Sequence, residues 1–298
     1  MRQLEKMERI RGRLKEAYSL LRACTVCPRG CGVNRLQGER GACAVGKRLV
    51  LSSMNLHFGE EPPLSGWRGS GTIFFTSCSL RCVFCQNYPI SQLRHGREVS
   101  VQELASGMLR LQARGAHNIN LVTPTHFGPQ IMVALLLAFE EGLDLPIVYN
   151  CGGYESVEML RLWEGIIDIY MPDMKYSDKA YARRYSGVPN YPAVNRVAVA
   201  EMHRQVGPLQ IDAEGIAQRG LLVRHLVLPE GMAGTEEVMR FLAEEISRDT
   251  YISLMRQYFP AYKAVELPPL NRRITRGEYA AAQRMLERYG LERGWMQE

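Results

Sequence analysis

The chain has 298 residues, 46% of them hydrophobic and 23% charged, with 37 basic against 31 acidic side chains. This balance suits one large domain with a small appendage, or one α/β barrel, and excludes a disordered chain. The basic residues are scattered, as in Arg183-Arg184 and Arg272-Arg273, without the clustering and interleaved aromatics of a nucleic-acid stripe, so no nucleic-acid partner is expected, while an acidic small substrate stays open.

In chain order, residues 4–21 read as a polar amphipathic helix with Leu14, Tyr18 and Leu21 on one face. The first 21 residues are rich in Lys, Arg and Glu and lack the apolar core of a signal peptide. Residues 24–66 are dense in Gly, Pro and Cys with little periodicity, which fits a small metal-stapled module; Pro62-Pro63 and Gly66 mark the turn out of it. From Gly71 onward strands are expected at 72–76, 118–123, 146–150, 166–171, 221–228 and 251–254. Helices are expected at 101–114, 130–141, 156–163, near 178–185, and at 191–205, 235–247 and 276–289, with a hairpin around 213–220. Ser100 followed by Glu103 forms a capping-box pattern at the first of these helices. The longest apolar run, 131–139, is too short to span a bilayer. The expectation is a cytoplasmic protein with no membrane partner. Six units of strand and helix with short apolar strands predict a parallel sheet covered by helices. The fold class is therefore α/β, an open partial (β/α)6 TIM-type barrel with a small N-terminal cysteine-rich module. The expected division is a helix over 1–22, a metal-binding module over 23–66 and the barrel over 67–298.

Eight cysteines in such a chain read as metal ligands before disulfides. Cys78, Cys82 and Cys85 have the form C-x3-C-x2-C directly after the first barrel strand, where the loops of βα barrels build active sites. Three thiolates can grip three irons of a cubane cluster that usually takes four cysteines, which leaves one iron for another ligand. A zinc knuckle is the alternative, but zinc normally wants a fourth protein ligand close by.

This loop resembles the signature of the radical S-adenosylmethionine (SAM) superfamily, including the aromatic Phe84 before the last cysteine. The resemblance implies that the triplet holds a [4Fe–4S] cluster, that SAM binds its open iron through amino and carboxylate groups, and that Phe84 lies beside the adenine. It implies reductive cleavage of SAM to methionine and a 5′-deoxyadenosyl radical that abstracts hydrogen from a substrate. The runs 59–63, 69–75, Cys85-Gln86-Asn87, 170–176, Gln257-Tyr258-Phe259-Pro260 and 271–274 are similar to the PflX branch of proteins related to pyruvate formate-lyase activating enzyme. Many glycyl-radical activases carry cysteine-rich inserts after the triplet, whereas this chain has no cysteine between Cys85 and Cys151. The target is open between a glycine of a partner protein and a small molecule or peptide. A low-potential donor of flavodoxin or ferredoxin type is the implied electron partner. The reading from another class is a non-catalytic zinc-binding interaction protein.

SAM contacts are expected from successive strand ends. Thr123 and Thr125 stand where activating enzymes carry a Gly-Gly-Glu-type motif that meets the SAM amino group; a helix-capping turn is the alternative. Asn150 stands where the superfamily meets ribose or carboxylate, and Gly152-Gly153 would allow close backbone approach. Asp173 and Lys175, two apart in an extended segment, point to one side; activating enzymes carry Asp-x-Lys there, close to SAM. Arg224 is a weaker candidate for the SAM carboxylate. His57 and His126 are read as structural or surface residues, Cys151 as a small buried hydrophobe, and Tyr258 as a substrate gate or packing. Loops 187–192 and 261–269 are candidate lids.

Cys24, Cys27, Cys31 and Cys43 form a second group, with Gly30, Gly32, Gly38 and Gly41 for tight turns. Four thiolates satisfy either a structural zinc, slightly favoured because no ferredoxin-type run is present, or an auxiliary [4Fe–4S] cluster.

Overall fold

In the computed structural model, which describes residues 2–297, the elements follow in this order: α1 (Arg2–Ser19), β1 (Leu49–His57), α2 (Pro62–Ser65), β2 (Ser70–Phe75), α3 (Tyr88–Ser91), β3 (Arg97–Val99), α4 (Val101–Ala113), β4 (Ile119–Val122), α5 (Gly128–Glu140), β5 (Ile147–Cys151), α6 (Val157–Trp163), β6 (Ile169–Pro172), α7 (Lys179–Ser186), α8 (Tyr191–Val206), β7 (Gln210–Ile211), β8 (Ala217–Leu226), α9 (Thr235–Phe241), β9 (Tyr251–Met255), α10 (Arg276–Arg288) and β10 (Gly294–Met296). Met1 and Glu298, the ends of the first and last expected segments, lie outside the described residues.

Strands β4, β5, β6 and β9 are buried at every position, as expected of a parallel sheet covered on both faces. The parallel order is β2-β4-β5-β6-β8-β9, the six expected strands in chain order. β10 extends this run parallel to β9, while β1 and β3 continue the other edge antiparallel. The sheet thus runs from β10 to β3 as an open series, and the fold is a partial TIM-type barrel. Helices α4 to α10 fall close to the expected spans, while the four-residue α2 and α3 and the three-residue strands β3 and β10 have no counterpart among the expected elements. α4 starts on the expected capping box: Ser100 Oγ accepts from Glu103 N–H, and the Glu103 carboxylate accepts from Ser100 N–H. α5 buries Ile131, Ala134, Leu135 and Ala138 completely, so the longest apolar run is a core face. Among the described residues no helix is long and apolar enough to cross a membrane.

Two further features differ from expectation. The cysteine-rich segment contains the nine-residue strand β1, which pairs with β2, so the expected boundary near residue 66 falls between the two strands of one antiparallel pair. Only Leu49 and Leu51 alternate toward the core, and Ser52 to His57 are partly or fully exposed; that alternation is too short to announce a strand. The helix expected to 247 is α-helical only to Phe241 and continues to Ile246 as a π turn.

Candidate active site

The carboxyl end of β2 leads into the three-cysteine loop through Ser77, whose φ of 68° is left-handed. A second left-handed residue, Thr123 at φ 59°, follows β4. Strain of this kind at two neighbouring strand ends is typical of functional loops. The loop is held from outside: Arg81 N–H donates to Ser186 O, Val83 N–H to Tyr185 O, and Ala264 N–H to Val83 O. The expected lid segment 261–269 is therefore tied to the loop at Ala264. Cys82 is buried, and Cys78 and Cys85 are half-buried. Each sulfur has a polar neighbour. Leu80 N–H donates to Cys78 Sγ at 3.3 Å, Ser186 Oγ lies 2.9 Å from Cys82 Sγ, and Ser91 Oγ lies 3.1 Å from Cys85 Sγ. Burial pushes the Cys78 and Cys82 thiols up, opposed at Cys82 chiefly by the Lys175 ammonium. A bound cation is the ordinary means of holding such buried sulfurs as thiolates.

All three cysteines face one cavity together with Phe84, Thr123, Asn150, Asp173, Lys175 and Arg224. Its charged floor comes from three strand ends. Lys175 Nζ stands 2.5 Å from Asp173 Oδ2, and Arg224 donates through Nε to Asp173 Oδ1 at 2.9 Å and through Nη2 to Asn150 Oδ1 at 3.0 Å. Burial opposes the ionised form of all three charged groups. Arg224 and Lys175 nevertheless hold the Asp173 carboxyl below its usual range, and Asp173 in turn holds both cations above theirs. Glu60, reaching Arg224 Nη1 at 3.7 Å, is pushed up to about 7 by burial. Leu226, Leu228 and Met255 supply apolar wall.

The structure does not gather every expected residue. Thr125 is buried, and its hydroxyl donates to Glu155 Oε1 at 2.8 Å, with Tyr149 donating to the other oxygen at 2.9 Å. Gly153 (φ 71°) makes a close approach to protein: a Cβ there would stand 2.2 Å from both Asp173 O and Asn195 Nδ2. Tyr258 packs edge-on against Phe84 and donates to Leu270 O at 2.6 Å. His126 is buried with Nε2 2.8 Å from Thr76 O, and burial lowers it to about 3. His57 ends β1, paired with Ser70 at the amino end of β2, away from the three-cysteine loop, with its ring against Phe74. Cys151 is buried on the cavity wall.

Sequence reasoning missed the residues that position this floor. The Tyr191 hydroxyl lies 2.9 Å from the carbonyls of both Gly152 and Asp173 and accepts from Lys175 N–H, while Asn195 donates to Gly153 O and Asp173 O. Both sit on α8 one turn apart, and that spacing on an otherwise apolar face was the available signal.

The second cysteine group lies against the same loop. Arg29 donates to Ser79 O and Gly187 O, Arg81 donates to Ala42 O, and Cys43 and Cys78 border one small cavity. Cys31 Sγ accepts from Ala42 N–H at 3.3 Å. Among the described residues, no three His, Cys, Asp or Glu side chains are gathered at the spacing of a single ion's ligands.

The chain is 32% identical over 93% of its length to the uncharacterized protein MJ0674 of Methanocaldococcus jannaschii, covering 78% of that protein. It is 24% identical to the uncharacterized protein MJ0808 of the same organism, over 83% of this chain and 73% of that one. Its fold is similar to a solved structure described as native anSMEcpe with bound AdoMet, at a TM-score of 0.50 and 12% identity, over 72% of this chain and 58% of that one. The chain thus spans less than two thirds of that structure's length, and the likeness is one of fold. The family model for the radical SAM superfamily matches residues 72–242, from the first parallel strand to the end of α9. That match takes in more than half of the chain and the whole three-cysteine loop, and the protein belongs to the radical SAM superfamily.

Proposed function

We infer that the protein uses Cys78, Cys82 and Cys85 to hold a [4Fe–4S] cluster and cleaves SAM reductively, placing it among proteins like the PflX branch. The observation that carries this reading is the position of the triplet: one short loop at the carboxyl end of β2, opening on a cavity with a zwitterionic floor. The donor set fits. Three thiols supply three ligands and leave one iron without a cysteine, and the hydroxyl and amide neighbours on the sulfurs suit an anionic cluster. When bound, the cluster and SAM supply cleavage of the sulfonium C5′–S bond, giving methionine and a 5′-deoxyadenosyl radical.

The chain's own residues bind and orient. Lys175, Asp173 and Arg224 meet the amino-acid end of SAM, Asn150 and Thr123 add polar partners, and Phe84 offers an aromatic face to the adenine. Thr125 and Tyr149 both donate to Glu155, so Thr125 acts behind the site through that carboxylate. The apolar wall of Leu226, Leu228 and Met255 keeps water from the reacting carbon. Electrons come from a low-potential donor of flavodoxin or ferredoxin type in the cytoplasm. The target is a glycine of a partner protein or a small molecule or peptide.

The test is anaerobic protein with dithionite and SAM. Iron-replete enzyme is expected to release 5′-deoxyadenosine and methionine, and Cys82→Ala to release neither. A colourless zinc protein, or an iron-replete sample that leaves SAM intact, overturns the reading.

A further inference from the structure

Among the described residues outside the cavity, Arg35 is a buried cation with no carboxylate partner. Arg35 opens a 3-10 turn between the third and fourth cysteines of the N-terminal group and is 1% exposed. A guanidinium keeps its charge at any working pH, and a buried charge is costly unless paired. Among the described residues its partners are the Gly46 carbonyl at 2.9 and 3.1 Å, the His126 carbonyl at 2.7 Å, and the Cys24 sulfur at 4.0 Å. None is a carboxylate. The nearby imidazole of His126 is neutral, so it adds no counter-charge. The sulfur within reach of the guanidinium is that of Cys24; Cys27 and Cys43 are also buried and Cys31 is half-buried in the same segment.

We propose that Cys24, Cys27, Cys31 and Cys43, which this structure does not gather at the spacing of a single ion's ligands, draw together on a metal centre as an anionic tetrathiolate, and that Arg35 is its internal counter-charge. Four thiolates around a divalent ion or a cubane leave net negative charge on either centre. The buried guanidinium beside Cys24 is the matching cation, and its carbonyl contacts to Gly46 and His126 fix it between the cysteine segment and the turn before α5. Arg35 thus acts as a positioning and charge-balancing residue for that centre.

The experiment uses the full chain carrying Cys78→Ser, Cys82→Ser and Cys85→Ser, so that all bound zinc and iron belongs to the N-terminal group and the result is independent of SAM chemistry. Metal retention against a chelator and the thermal midpoint are read with and without metal. Arg35→Met is expected to weaken retention roughly 10- to 100-fold, the range for residues one shell from a metal. It should lower the midpoint more in the loaded than in the stripped protein, because only the loaded centre carries the anion. Arg35→Lys, which keeps the charge, should retain metal within a few-fold of the parent. The proposal is overturned by a folded triple variant that binds no metal, by equal midpoint losses with and without metal, or by unchanged retention in Arg35→Met. Should the Met variant fail to fold, a folded Arg35→Lys that loses its metal overturns it equally.

Discussion

Asp173 and Lys175 show what a two-residue spacing carries. In extended backbone they share a side, and in the fold they make a 2.5 Å pair on the cavity floor, 14% and 18% exposed. A surface pair of this kind would be worth little. This one is joined by Arg224, so Asp173 faces two cations. Glu60 also reaches Arg224, so the floor is a mixed-charge cluster in which Lys175 and Arg224 suit a ligand carboxylate and Asp173 its ammonium. Lys175→Met is therefore expected to weaken SAM binding to the iron-loaded enzyme about 10- to 100-fold, the worth of one charge-assisted hydrogen bond. Iron per chain should stay at the wild-type level. Equilibrium binding of SAM beside an iron assay reads both, and an unchanged dissociation constant would reduce the pair to a structural role. Thr125 stood at an equally suggestive position, yet its hydroxyl is spent on Glu155. Which way a side chain turns at a strand end depends on a carboxylate 30 residues later, and spacing alone does not reveal that.

At the scale of elements, local chemistry was the more legible part. The capping box at Ser100 and Glu103 and the apolar face of α5 act within a few residues, so the sequence shows them directly. β1 depends on pairing with β2 across an intervening turn, and its half-length alternation hid it. The loop after β5 is a third case. Gly152-Gly153 suggested room for a ligand, but the room at Gly153 is taken by Asp173 O and Asn195. Gly153→Ala should thus act through the neighbouring loop. A left-handed residue other than glycine costs about 1–2 kcal/mol, and the added carbon, 2.2 Å from the Asp173 carbonyl, must displace the segment that carries Asp173 and Lys175. The expected result is a lower denaturant midpoint together with weaker SAM binding. A variant that loses stability by that amount yet binds SAM normally would show that the loop shifts without moving the charged pair.

For the molecule as a whole, chain order was enough to place six βα units and the cysteine loop at the right end of the first strand. The contacts that join distant segments were not legible, because no local pattern encodes them: Tyr191 and Asn195 clamping two loops, Arg29 and Arg81 tying the cysteine-rich segment to the barrel. Glu155 belongs to this class. It is fully enclosed behind the cavity, accepts from Thr125 and Tyr149, and is pushed up to about 7 by burial from an ordinary 4.5. Its folded pKa is raised, so between these values the native state holds a proton that the unfolded chain has released. The stability it contributes is present below about 4.5 and is lost as pH rises through 7. A shift of this size corresponds to at most roughly 3 kcal/mol. Glutamine keeps a carbonyl acceptor for one hydroxyl, offers an NH2 donor to the oxygen of the other, and cannot ionise. Glu155→Gln should therefore change little at pH 4.5 and gain stability relative to wild type as pH is raised to 8. Denaturant midpoints at both ends of that range measure it. A difference between the two proteins that does not move with pH would mean that Glu155 keeps an ordinary carboxylate pKa in the folded protein.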